Sequence, residues 1–203
     1  MLFYDTRLQF HGHLVIIFPM FDEIISKLKN DETYIKKFYQ IYHSSINENN
    51  IINAIVEFEK SLLTPNSKFD KHLKGQKDIL TKEEIKGYEL FKSHGCISCH
   101  NGVNIGGNLF QKIGIINNYF KNEPKNFGRY NITKEEKDKF YFKVPTLRNI
   151  ELTAPYLHNG SIKDLKSTIE IMLKYQIGTI YEKSDIENLE MFLKTLTGEI
   201  PKI

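Results

Sequence analysis

The sequence is poor in cysteine, with two among 203 residues. Two cysteines cannot build the disulfide framework of a small secreted scaffold. The chain has no uninterrupted apolar run of the roughly 18 residues that a membrane-spanning helix needs. Charge of one sign is scarce too. The formal net charge is +3, with Lys and Asp/Glu interspersed, which is a solvated surface and not a basic field for nucleic acid. No second Cys or His cluster stands at metal-ligand spacing, so a four-ligand zinc site is excluded. The stretch "HLVIIFPMF" at 13–21 has the length of a signal-peptide core. Asp5 and Arg7 precede it, Pro19 interrupts it, and no small-residue cleavage site follows. It is not read as a leader. The chain therefore either starts downstream of its true beginning or is not exported.

What is present is mostly helix. Apolar residues recur at three-to-four spacing over 22–30, 32–43 and 47–63. Thr81, with Glu84 three residues on, predicts a capping box opening a helix over 81–94. Its apolar face is Ile85, Tyr88 and Phe91, and Gly95 ends it. Further helices are expected over 161–177 and 184–198. The last carries Ile186, Leu189, Leu193 and Leu196 on one stripe, with Phe192 beside it. Between 101 and 159 periodicity fades, and five glycines between 102 and 128 punctuate an irregular region. So long a loop needs something to organise it. No strand and no internal repeat is expected.

Both cysteines stand in "GCISCHNG" at 95–102. A redox dithiol would sit at a strand-to-helix turn, whereas this pair follows a helix. Covalent haem attachment accounts for all three residues. Cys96 and Cys99 would form thioethers to the haem vinyl groups, and His100 would be the proximal iron ligand. For the sixth position, Met191 lies beside Phe192 and is read as a gap-filling core residue. Met172, between the attachment site and the terminal helix, is the candidate ligand.

These segments resemble the bacterial di-haem cytochrome c peroxidases. "LFKSHGCISCHNGVNIGGNLFQKIG" is similar to that family's second haem-attachment segment. "FKVPTLRNIELTAPYLHNGSIKDL" (142–165) resembles its segment over the haem edge and domain interface. "MLKYQIG" (172–178) resembles the stretch carrying the methionine ligand, and "AIVEFEKSLLTPNSKFDKHLKG" (54–75) the helix and linker before the domain. The likeness runs from about 47 to 198. A related branch that modifies a partner's tryptophans places tyrosine where Met172 stands, so the methionine favours the peroxidase branch. Upstream, "MLFYDTRL" (1–8) resembles the segment before the family's first haem attachment, and "LVIIFPMFDEIISKLK" (14–29) one well after it. Only "QFHGH" lies between them. The first haem motif, its distal histidine region and the acidic residue assisting peroxide cleavage have no counterpart, and His11 and His13 are surface histidines by this reading.

The resemblance implies an all-α fold, with a class-I-like cytochrome c domain at 76–203. Residues 1–75 would be the remnant of a peroxidatic domain and its linker. It implies one covalent haem c, with Cys96, Cys99, His100 and Met172 holding it. Arg148 and His158 would approach the haem propionates. Thr153 and Pro155 match positions whose backbone oxygens hold a calcium between the family's domains. The family divides labour: a His/Met haem accepts electrons from a small cytochrome, and the other haem cleaves hydrogen peroxide. The expected function here is the electron-accepting half, periplasmic as in the family, without a membrane span or nucleic acid, and compatible with a homodimer. Two alternatives stand beside it: an active peroxidase, through loss of Met172 or a partner haem, and a decayed, non-functional fragment.

Overall fold

The computed structural model describes residues 21–119 and 126–201. Met1, Met20, His11, His13, the segment 1–8 and most of the apolar run 13–21 lie outside the described residues. Two compact units are distinguished: one reaches to Leu63 and includes Pro201–Ile203, and the other is Thr64–Ile200. Residues 64–75, grouped with the N-terminal part from sequence, fall in the second.

The first unit contains α1 (Phe21–Lys29), α2 (Glu32–Tyr42) and α3 (Glu48–Ser61). Asp31 caps α2 by accepting from Thr33 N–H, and Asn47 caps α3 by accepting from Asn50 N–H, each filling an orphan donor of the first turn. Phe21, Ile46 and Ile51 form a small core with Ile24, Ile25, Leu28, Phe38 and Ile52 against it. Along α3, Ile55, Phe58 and Leu62 remain exposed.

The second unit opens with α4 (Lys68–Leu73), capped by a Ser67/Asp70 box. The helix α5 (Lys82–Ser93) follows, capped as expected by the Thr81/Glu84 box. Lys68 Nζ holds both oxygens of the buried Glu84 at 2.7 and 2.6 Å. A short antiparallel pair, β1 (Phe110–Lys112) and β2 (Tyr141–Lys143), is an addition to the helical expectation, with Gln111 opposite Phe142. The turn α6 (Tyr130–Thr133) lies between these strands. The helix expected over 161–177 begins only at Leu165, as α7 (Leu165–Ile171), because Asp164 caps it by accepting from Ser167 N–H. At Met172 it widens into a π-helical turn, Met172–Ile177. The last helix, α8 (Lys183–Lys194), ends four residues before the expected limit.

The core forms where α5 packs on α8, with α4 and α7 beside them. Phe69, Leu90, Phe91, Leu165, Ile169, Leu173, Leu189, Phe192, Leu193 and Leu196 share one cluster. The expected stripe on α8 is buried at Ile186, Leu189, Leu193 and Leu196. On α5 the buried face is Gly87, Leu90 and Phe91, and Ile85 is exposed. Gly87 is the reason: a Cβ there would lie 1.9 Å from the Asn188 carbonyl oxygen and 2.8 Å from Phe192 Cβ. Glycine lets the two backbones meet, and the contact face rotates toward it. Phe192 stacks edge-on against Phe69, with centroids 5.1 Å apart, and lies 5.2 Å from both Tyr88 and Phe91. Met191 points away from this core and is 38% exposed. Its assignment as a core residue is corrected: position 191 falls off the stripe that Leu189 and Leu193 define.

Candidate haem-attachment site

α5 delivers the chain into the attachment segment. Its C-cap is His94, and Gly95 turns the backbone left-handed at φ +82°. A 3-10 turn at Cys96–Ser98 follows, and His100 N–H donates to the Cys96 carbonyl at 2.9 Å. This short coil gathers both thiols and the imidazole around one turn. Both cysteines are free. Burial pushes the Cys96 thiol up to about 11, the opposite of what a reactive dithiol requires. Among the described residues no group of three or more His, Cys, Asp or Glu could hold a metal ion.

His100 is set for a different task. Burial lowers its pKa below the ordinary imidazole value, and the backbone of Ile105 and Pro145 opposes that shift. Those backbone groups do not reach full hydrogen-bond geometry, and the buried Nδ1 has no hydrogen-bond partner. A neutral, half-constrained imidazole beside two unpaired thiols matches the donor set of a covalently bound haem. The residues present therefore fit that group.

The irregular region after His100 is organised by backbone lacing. Gly107 N–H donates to Val144 O (2.8 Å), Val144 N–H to Leu109 O (2.9 Å) and Leu147 N–H to Ile105 O (3.1 Å). Thr146 Oγ1 donates to Asn104 O at 2.5 Å. Gly106, at φ +132°, passes so close to Pro145 that a Cβ would lie 2.0 Å from its carbonyl oxygen. Residues 101–109 and 144–148 thus form one layer beside the attachment turn.

Arg148 belongs to that layer. Its Nε donates to Val103 O (2.8 Å) and its Nη1 to Asp70 (2.9 Å). Burial pushes the Asp70 carboxyl up, but hydrogen bonds from Arg148 and Ser67 outweigh this and hold it below the ordinary carboxylate range. The guanidinium therefore ties α4 to the loop, which competes with the expected propionate contact. His158 stacks on Phe142, with centroids 4.1 Å apart at 22°. Thr153 and Pro155 sit on an exposed stretch, where Thr153 Oγ1 donates to Ile150 O.

Met172 is half-buried at the head of the π-helical turn, which Gly178 closes at φ +71°. Such turns mark functional positions more often than ordinary helix does. Two further residues carry no signal in the sequence. Gln176 bonds backbone groups of the 112–114 segment. His94 lies between Thr179 Oγ1 (3.3 Å from Nδ1) and Asp185 (3.9 Å from Nε2). Neither stands in a spacing pattern that would reveal it.

A model of the family described as di-haem cytochrome c peroxidase matches residues 17–78. The chain is 42% identical over 179 residues to the cytochrome c peroxidase Ccp of Escherichia coli, covering 87% of this chain and 38% of that protein. It belongs to the di-haem cytochrome c peroxidase family. It is 43% identical over 169 residues to the cytochrome c551 peroxidase of Nitrosomonas europaea, covering 83% of this chain and 50% of that one. The chain thus spans half or less of the length of these two curated relatives. A crystal structure of a MauG-like protein associated with microbial copper homeostasis superposes with a TM-score of 0.73 at 27% identity, over 88% of this chain and 62% of that one. Among the described residues no helix is long and apolar enough to cross a membrane.

Proposed function

We propose that this chain is the electron-accepting part of a cytochrome c peroxidase: a c-type haem domain at 76–203, class-I-like in fold, preceded by the remnant of a peroxidatic domain. The observation that carries this reading is the buried, unpartnered Nδ1 of His100 directly after two free cysteines, in a chain whose relatives are named cytochrome c peroxidases. Haem would supply one-electron chemistry. Cys96 and Cys99 would tether it, and His100 and Met172 would hold its iron. His158 and Arg148 remain the residues proposed for the propionate side. The carbonyls of Thr153 and Pro155 would share a calcium with ligands that these two residues do not supply.

Peroxide reduction takes two electrons and two protons per hydrogen peroxide and yields two waters. In this reading a small donor cytochrome delivers the electrons one at a time, in the periplasm, where thioether attachment occurs. If His100 and Met172 both hold the iron, peroxide would have no place to bind it directly. We assign no residue of this chain as the acid–base group for peroxide cleavage, a group typically worth about 10²–10⁴-fold. The test is steady-state oxidation of reduced donor cytochrome against peroxide, for wild type and Met172→Ala. Slow wild-type turnover, raised modestly by Met172→Ala, is expected. Saturable wild-type turnover at about 10 s⁻¹ or above, near the enzyme median, would instead establish the chain as a complete peroxidase.

A further inference from the structure

The π-helical turn is held from outside. Gln176 Oε1 accepts from Gly114 N–H at 2.7 Å, and its Nε2 donates to the Lys112 carbonyl at 3.0 Å. One side-chain amide thus reads the backbone of residues 112 and 114 as a strand partner would. Beside it, the Tyr175 carbonyl accepts from Ile116 N–H (3.1 Å) and Asn117 N–H (3.3 Å). At the end of the turn, a Cβ on Gly178 would lie 2.9 Å from the Ile116 side chain, so the loop is seated closely there. A π-helical turn departs from the i→i+4 ladder, and its shape depends on contacts beyond its own backbone.

We propose that Gln176 is the positioning residue for Met172: its two-point amide clamp on residues 112 and 114 fixes the turn that presents the Met172 sulfur to iron, and sets how readily that sulfur yields to another ligand. The inference rests on the reading of Met172 as an iron ligand. A neutral thioether is retained only while its support holds it in place, and groups behind metal ligands commonly tune them. The clamp uses no charge and touches no thiol or imidazole of the attachment turn.

The test uses the full chain, exported and haem-loaded. Imidazole binding to the ferric protein, the near-infrared Met–Fe(III) charge-transfer band and far-UV unfolding are measured together. Variants are Gln176→Leu, Gln176→Glu and Met172→Ala. Asn149→Ala is the control, because that amide makes an equivalent clamp elsewhere, to Thr64 Oγ1 (2.8 Å) and from Gly198 N–H (3.0 Å). Gln176→Leu should speed imidazole binding about tenfold, equivalent to about 1.4 kcal/mol, the scale of two lost hydrogen bonds. Its band should fade at a temperature below global unfolding. Gln176→Glu, which keeps an acceptor for Gly114 N–H, should fall between it and wild type. Asn149→Ala should lower the unfolding midpoint and leave imidazole binding unchanged. Wild-type ligand binding in Gln176→Leu, or an equal rise in Asn149→Ala, would overturn the inference while the Met172 reading stands. A wild-type protein without the band, binding imidazole as fast as Met172→Ala, would overturn both. If Gln176→Leu fails to load haem, Gln176→Glu decides: wild-type ligand binding there also overturns the clamp.

Discussion

The α5–α8 pair and the loop that follows His100 are held by different forces. In the pair, Leu90, Phe91, Leu189, Phe192 and Leu193 exclude water, and Gly87 brings backbone against backbone. In the loop, Val103, Asn104, Ile105, Gly107 and Leu109 are tied to residues 144–148 by hydrogen bonds. Its apolar anchors are few: Ile105 and Val144 are buried, whereas Val103 and Phe110 are exposed. The pair provides stability and the loop provides placement. A polar lacing of this kind fixes the chain that follows His100. Substitutions in the pair should therefore move unfolding, and substitutions in the lacing should move the site's properties first.

The largest expected effect is at Gly87. A valine there would drive side-chain atoms into the Asn188 carbonyl and Phe192, costing more than about 3 kcal/mol as severe overpacking. Chemical denaturation should show a midpoint collapse, and an unchanged midpoint would mean that the helices part without penalty. Arg148→Met comes next and sharpens the contrast. It leaves Asp70, only 16% exposed, without its cation, at a cost of about 2 kcal/mol near neutral pH. Because the folded-state pKa of Asp70 lies below its reference value of 3.8, the stabilisation is complete above that pH. It is lost as pH falls through the lower folded value. The gap between wild type and variant should narrow as pH falls through that value, because the carboxyl protonates in both, leaving the contribution of the Arg148–Val103 bond. A gap of unchanged size in acid would show that Asp70 is not the partner through which Arg148 stabilises the fold.

The smallest effect is expected at Met191. At 38% exposure, Met191→Ala should cost under about 1 kcal/mol, as surface changes do. A loss of about 2–5 kcal/mol, the range for a buried methionine, would place it in the core after all.

The same contrast explains what was legible in the sequence. The α8 stripe and the Thr81/Glu84 box are side-chain patterns with the helical period, and both appear where expected. Ile85 and Met191 lie outside the core because a glycine contact turns one face and adjacency to Phe192 is not periodicity. The strand pair and the lacing of 101–109 onto 144–148 were not legible. Backbone N–H and C=O groups are the same in every residue and leave no compositional trace. Within the site, the proposed haem attachment rests on the spacing of "CISCH". The contacts of Arg148, Gln176 and His94 emerge only once distant segments meet.

The central claim is that Cys96, Cys99 and His100 are a haem-attachment site in use. Intact-mass spectrometry of the protein, exported with c-type maturation machinery, tests it most directly. The account predicts the added mass of one haem, which survives denaturation, with Cys96→Ser leaving at most one thioether at lower yield. An unmodified mass, or the mass of two haems, would contradict it.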